Sequence, residues 1–355
     1  MRRDSMAFEE IVGQDLAISK LKMAIDKNRL SHAYLFLGQD GTLKRKTALA
    51  LAKIVLSWPQ FTHNPDPAFT QASEDLFDSG NHPDCHIIVP EGKQIKIKQI
   101  RDLKDALSHY ARYSHYSVVI IENADLMGHE AANALLKMLE EPLGEILFIL
   151  LATHQDKLLE TICSRMQIIP FKPLSKTSLC HYLPKPINNY NQDKLNLALA
   201  LSFGSLSLFL SYLEEDSTIL SERDTLFSLI KSLPNLHEGR LVLFVEEMQK
   251  NVKEQYKAQK ETLTLSERDW QRQFINRQIF FIESFIRDMM LLKNHFALPL
   301  YHHDFKANYL ELSYQESHLK KFLDTLYASY DKLEANVDYF LVLLILLFQF
   351  KKTIQ

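Results

Sequence analysis

Three short stretches hold the residues with the most chemical potential. The first, Gly38-Gln39-Asp40-Gly41-Thr42-Leu43-Lys44-Arg45, follows the apolar run Ala33-Tyr34-Leu35-Phe36-Leu37. A strand, a glycine-containing turn and a helix frame a phosphate-binding loop, whose working pattern is GxxxxGK[ST]. There, backbone N–H groups wrap phosphates, the lysine neutralises them and the hydroxyl holds Mg²⁺. Gly38 and Lys44 stand in place, but the second glycine is Leu43 and the Ser/Thr is Arg45. Leu43 brings a Cβ to a point of close backbone approach. Arg45 offers only donors and does not ligand a cation. Taken alone, the stretch reads equally as a surface turn carrying a lysine.

The second stretch is Val118-Val119-Ile120-Ile121 followed by Glu122-Asn123. In a hydrolysing site such a strand ends in an Asp for Mg²⁺ and a Glu that polarises water. Glu122 keeps a carboxylate, whereas Asn123 carries no charge and cannot act as a base. Glu122 and Asp125 also fit a simple helix-capping role. Three substitutions in two separated elements of one site point to lost hydrolysis. The third stretch is Thr161-Ile162-Cys163-Ser164-Arg165. A guanidinium stabilises charge growing on a transferred phosphoryl group; out of context, Arg165 fits a salt-bridged helix start better.

The elements that must position these residues alternate. A helix fits 14–28, with Leu16, Leu21, Ala24 and Ile25 on one side, and another continues through Thr47–Ala52. Strands fit 33–37, 86–89, 118–121 and 147–152. Helices fit the stripe Ile97, Ile100, Leu103, Leu107 and residues 129–141, which Pro142 stops. Residues 57–83 carry four prolines and no apolar periodicity, and read as an irregular excursion. Short apolar strands alternating with helices predict an α/β domain with a parallel sheet covered by flanking helices, over 1–173. Strand runs nearly vanish from 174. Residues 174–220 read as a small helical domain broken by Pro184 and Pro186, and 221–355 as an all-α domain with long amphipathic segments such as 268–293 and 315–350.

With 355 residues, two or three domains are expected. The net charge of -3 argues against coating nucleic acid by bulk electrostatics. A local basic stretch does exist: Lys93, Lys96, Lys98, Arg101 and Lys104. Lys98 and Arg101 share a helical face opposite Ile100 and Leu107, which fits either a solvated face or phosphate contact. Cys85, Cys163 and Cys180 lack CxxC spacing, so no disulfide framework is suggested and a reducing cytoplasm fits. The N-terminus lacks the apolar region of a signal peptide. The apolar stretch Tyr339–Phe348 is about half a bilayer span, so it reads as a buried core or interface helix and no membrane association is expected.

Ser31-His32-Ala33-Tyr34-Leu35-Phe36, the run Ala131-Ala132-Asn133-Ala134-Leu135-Leu136-Lys137-Met138-Leu139-Glu140-Glu141-Pro142, and Thr161–Arg165 resemble AAA+ clamp-loader subunits of bacterial DNA polymerase III. His82-Pro83-Asp84 with Ile95–Arg101 is similar to the delta-prime and gamma/tau branch in particular. The match is good over roughly 8–172; Gly204-Ser205, Arg287-Asp288 and Asn336-Val337-Asp338 are fainter echoes.

The resemblance implies an AAA+ domain, a small helical lid and a C-terminal collar within a pentameric loader. It implies gamma/tau and delta subunits as partners, with the sliding clamp and primer–template DNA reached through the complex. The delta-prime branch typically keeps an arginine finger for a neighbour's ATP while its own phosphate loop is defective. Intact Ser164-Arg165 beside a broken loop is that combination; the motif's usual Cys is Met166 here, in a packing position. In that reading Lys44, Gly38 and Glu122 are remnants of a nucleotide site, and Lys98 and Arg101 are candidate DNA contacts. The branch usually carries four zinc cysteines after the loop helix, but 57–84 contain none. His63, His82 and His86 do not complete a tetrahedral set with Cys85 alone. Neither a metal nor a hydrolysed nucleotide cofactor is expected. Two rivals stay open: an active gamma/tau-like ATPase, kept alive by Lys44 and Glu122, and a stand-alone DNA-binding protein.

Overall fold

The computed structural model describes residues 8–57, 61, 66–92, 94–108, 111, 114–142, 144–214, 218–259, 266–296, 298–306, 312–334 and 337–354. Lys93 and His63 lie outside the described residues. The chain divides into two compact units: Met1–Tyr190 with Ser202–Leu210, and Asn191–Leu201 with Ser211–Gln355.

The first unit is an α/β layer structure. Its elements run α1 (Asp15–Asp26), β1 (Ala33–Leu37), α2 (Lys44–Ser57), α3 (Pro67–Asp78), β2 (Cys85–Ile88), α4 (Ile97–Ala106), β3 (Ser117–Ile121), α5 (His129–Glu140), β4 (Ile146–Ala152), α6 (Glu160–Cys163), β5 (Gln167–Pro170) and α7 (Lys176–His181). The strands pair in parallel, in the order β2-β3-β4-β1-β5. Strands β3 and β4 are buried throughout and β1 over all but its last residue, as continuous apolar runs flanked by helices on both faces must be. Alternate side chains feed two cores. Tyr34, Phe36, Val118, Ile120, Ile149 and Leu151 pack with α1 and α2. Ala33, Leu35, Val119, Ile121, Phe148 and Leu150 pack with α4, α5 and α6.

The four strands expected from sequence are present within a residue or so of their bounds. The fifth, β5, was absent from that reading. It is four residues long and only Ile169 is fully buried, so its apolar signal is faint. Residues 57–83 are not wholly irregular either, since α3 lies inside them. Asp66 caps it, accepting a bond from Ala68 N–H at 2.9 Å, and Pro67 takes the first helical position, where a missing N–H costs nothing. Its buried positions include Thr70 and Ser73. Ser73 Oγ donates to Leu56 O at 2.9 Å and lies 3.0 Å from His82 Nε2. With hydroxyls at its most buried positions, the inner face of the helix carries few apolar residues, Phe77 on the core among them.

The second unit is helical: α8 (Gln192–Leu201), α10 (Ile219–Ser232), α11 (Glu238–Gln259), α12 (Glu267–Lys293), α13 (Glu316–Glu334) and α14 (Tyr339–Thr353); α9 (Leu206–Leu213) begins in the first unit and ends in the second. Asp338 starts α14 by accepting bonds from Phe340 and Leu341 N–H at 2.9 and 3.2 Å. The 315–350 stretch is therefore two helices. Among the described residues, no helix is long and apolar enough to cross a membrane.

Candidate functional site

The loop 38–45 leaves the end of β1 and enters α2 at the carboxyl edge of the sheet. Strand β1 lies between β4 and β5, and the ends of β3 and β4 open on the same edge. Open parallel sheets bind ligands at such a reversal of strand order. The loop keeps the backbone shape that the phosphate pattern demands even though its sequence has eroded. Gly41 has φ +77° and Leu43 φ +71°. Leu43 thus holds a left-handed conformation natural to glycine, at a cost of about 1–2 kcal/mol. Gly38 is fixed by crowding: a Cβ there would lie 2.3 Å from Phe171 O.

Neighbouring elements pin this shape. Gln14 Nε2 donates to Thr42 O at 3.1 Å and to Lys172 O at 2.7 Å. Leu206 N–H, at the start of α9, donates to Gly41 O at 2.9 Å. Gln39 Nε2 donates to Phe203 O at 2.7 Å. A cavity of ≈ 570 Å³ lies in front of the loop, with Asp40, Leu43, Arg45, Glu122, Thr153 and Leu206 among its walls.

Inside this frame both cationic groups are engaged by the protein's own atoms. Lys44 Nζ turns back to donate to Gly38 O and, at 3.0 Å, to Gln39 O, with Asp40 3.6 Å away. Its side chain is 8% exposed. Burial pulls the Lys44 pKa down, opposed by the Asp40 carboxylate. Arg45 Nε donates to Glu122 Oε1 at 2.6 Å. The guanidinium therefore neutralises the carboxylate that in a working site faces the metal. Asn123 sits at φ +49° and starts the short turn Ala124–Leu126. Asp125, in that turn, has a buried Oδ1 without a hydrogen-bond partner among the described residues.

Arg165 occupies a separate place, on the turn between α6 and β5. Its Nη1 donates to Thr161 O at 2.9 Å and to Ser164 Oγ at 3.4 Å, while Nη2 donates to Glu140 Oε1 at 2.6 Å. Ser164 Oγ itself donates to Thr161 O at 3.0 Å. The Arg165 side chain remains 38% exposed. Met166 is buried in the α5/α6 core, the packing position read from sequence. The structure thus brings Gly38, Lys44 and Glu122 together at one edge and leaves Ser164 and Arg165 outside that cluster.

Lys98 and Arg101 are exposed on α4, with Ile100 and Leu103 buried on its other side. Asp102 and Asp105 are exposed on the same helix, so the basic stretch is interleaved with acids. Lys96 Nζ pairs with Glu91 at 3.3 Å. Among the described residues, no group of His, Cys, Asp and Glu side chains could hold a metal ion. Burial pushes the Cys85 thiol up to about 11, away from the thiolate that metals require.

Sequence reasoning missed Glu140, Gln14 and Leu206 as parts of these sites. Glu140 had a signal, since it lies in the 131–142 run that carried the resemblance. Gln14 and Leu206 had none, because each acts through contacts distant in sequence.

Residues 13–175 match the family described as DNA polymerase III, delta subunit. A DNA polymerase III subunit delta' of Bacillus subtilis is 40% identical over 166 residues, 47% of this chain and 50% of that protein. A subunit delta' of Pseudomonas aeruginosa is 36% identical over 184 residues, 49% of this chain and 53% of that one. The tau subunit of Bacillus subtilis is 28% identical over 296 residues, 81% of this chain and 50% of that protein. The chain spans about half the length of the curated relatives it matches.

Proposed function

We propose that this chain, whose residues 13–175 match the family described as DNA polymerase III, delta subunit, and resemble delta' subunits, is a clamp-loader subunit that does not hydrolyse ATP. It serves DNA replication by scaffolding the loader ring and presenting Arg165 to ATP held by a neighbouring gamma/tau-type subunit. Its partners are gamma/tau and delta subunits, and it meets the sliding clamp and primed DNA within the complex, in the cytoplasm. The helical region joins a collar; the exposed Leu341 and Ile345 of α14 support a further interface there.

One observation carries this reading: the loop's two cations are already bound to the chain's own oxygens. Lys44 donates to the Gly38 and Gln39 carbonyls rather than to phosphate, and Arg45 covers Glu122. A nucleotide would have to displace both, in a loop with Arg45 where the Mg²⁺-binding hydroxyl would follow Lys44 and beside Asn123 instead of a base. Arg165 by contrast is partly exposed and lies outside that loop.

The test is reconstitution with gamma/tau and delta subunits, measuring ATPase of each component and of the whole. The isolated chain is expected to show no turnover and no micromolar ATP binding. Mg²⁺-dependent hydrolysis by the isolated chain would establish instead the active gamma/tau-like ATPase.

A further inference from the structure

Glu140 and Arg165 are 25 residues apart and sit on different elements, yet their side chains meet at 2.6 Å. Glu140 is the last residue of α5, a helix end whose free carbonyls carry partial negative charge that favours a cation. Arg165 follows α6 on a tight turn, where Thr161 O and Ser164 Oγ take the two N–H groups of Nη1. Three of its five donors are therefore committed, to three acceptors on two elements. What is left, among the described residues, is Nε–H and one Nη2–H, on a side chain that is 38% exposed. Such a pair is what a phosphate oxygen fork accepts.

We infer that Glu140 is a positioning residue for Arg165: its carboxylate holds the guanidinium in place while Nε–H and the second Nη2–H stay available to a neighbour's phosphate. This rests on the reading of Arg165 as a finger for a neighbour's nucleotide. A free arginine side chain carries about 2 kcal/mol of rotamer entropy, which a neighbour's phosphate would otherwise have to overcome at each encounter. Holding the fork beforehand lowers that cost. The pair is partly exposed, Arg165 at 38% and Glu140 at 43%, so its contribution to stability is small and its removal leaves the fold intact. Gln at 140 keeps an acceptor oxygen in the same place, while Ala removes it.

The experiment compares Glu140→Ala, Glu140→Gln, Arg165→Ala and the Glu140→Ala/Arg165→Ala double variant, each assembled with gamma/tau and delta subunits on clamp and primed DNA. ATPase kcat and KM and the thermal midpoint of each variant are read out. Glu140→Ala is expected to lower kcat at the affected site by about two- to fivefold, the span of a partly exposed ion pair, with KM for ATP nearly unchanged. Glu140→Gln is expected to recover most of the loss, and the double variant to match Arg165→Ala alone. Normal kcat in Glu140→Ala while Arg165→Ala is impaired overturns the positioning role but leaves the finger standing. So does an additive double variant. Normal turnover in Arg165→Ala removes the finger, and the inference with it.

Discussion

Arg45 Nε and Glu122 Oε1, 77 residues apart in sequence, lie 2.6 Å apart across the mouth of the eroded loop. Arg45 lies in the first turn of α2, which the loop joins to β1, and Glu122 follows β3, so the pair links segments whose strands are separated in the sheet by β4. This pair puts a positive group against the carboxylate that would otherwise face a metal. Arg45 is 60% exposed, so Arg45→Ala should cost no more than about 1 kcal/mol of stability. Leu43→Gly with Arg45→Thr restores the loop's phosphate pattern and uncovers Glu122. That variant should gain Mg²⁺-dependent ATP binding by calorimetry, without turnover because Asn123 is not a base. Unchanged, undetectable binding would show that the closure of Lys44 on Gly38 and Gln39 empties the site by itself.

Arg165→Ala should leave the isolated protein folded, with a thermal midpoint within a degree or two of the parent, as expected for a partly exposed side chain. In the assembled loader, turnover at the site it faces should fall by about 10³-fold or more, the scale of a lost arginine finger. Bulk ATPase then drops by that site's share. Single-turnover measurements on the reconstituted complex separate the two quantities, and an unchanged rate would remove the finger role.

Gly38→Ala tests the frame rather than the chemistry. The added Cβ would lie 2.3 Å from Phe171 O, a backbone oxygen held where β5 ends, so the strand must shift. A loss of about 1–3 kcal/mol is expected, as for other overpacked positions. Chemical denaturation of the isolated chain measures it, and a variant as stable as the parent would mean that β5 yields freely.

His302 is fully buried, with Nε2 2.8 Å from Ser284 Oγ and its backbone N–H donating to Asp288 at 2.7 Å. Burial, reinforced by Arg223, His303 and Arg287, pulls its pKa down to about 2. The unfolded chain binds this proton near pH 6.5 and the folded chain does not. Stability is therefore fully present above pH 6.5 and falls as pH drops from there towards 2, with a limiting slope of about 1.4 kcal/mol per pH unit. Asp288, raised by burial, contributes the opposite slope, so the His302→Asn variant is the proper comparison. The difference in stability between parent and variant should shrink from pH 7.5 to pH 5.5, and a constant difference would contradict the assignment.

Lys98 and Arg101 are exposed on one face of α4. If they meet the phosphates of primed DNA, replacing both by alanine should weaken loader binding at every sequence alike. It should also reduce the slope of log K against log salt by about 1.8, since each phosphate that is no longer neutralised removes about 0.9. The interleaved Asp102 and Asp105 make an unchanged slope the competing outcome, which would assign the face to solvent.

The amino-acid sequence by itself determined which side chains stand at the phosphate-loop positions. Leu43 and Arg45 offer a cation no oxygen and Asn123 offers no base, and that is why the sequence alone raised the expectation of lost hydrolysis. It also determined the parallel sheet, since strands such as Val118–Ile121 are apolar on every side and must be covered on both faces. Strand β5 and helix α3 were illegible: one has a single buried side chain, and the other buries hydroxyls whose bonds, such as Ser73 to Leu56 O, come from elsewhere. Only the tertiary structure decided what the surviving charged residues do. Lys44 curls onto its own loop, Arg45 reaches Glu122, and Arg165 docks on Glu140 while staying partly exposed. Composition and spacing supplied each charge, but the partner of a charge is set by which strand ends and helix ends the sheet order brings within hydrogen-bond reach.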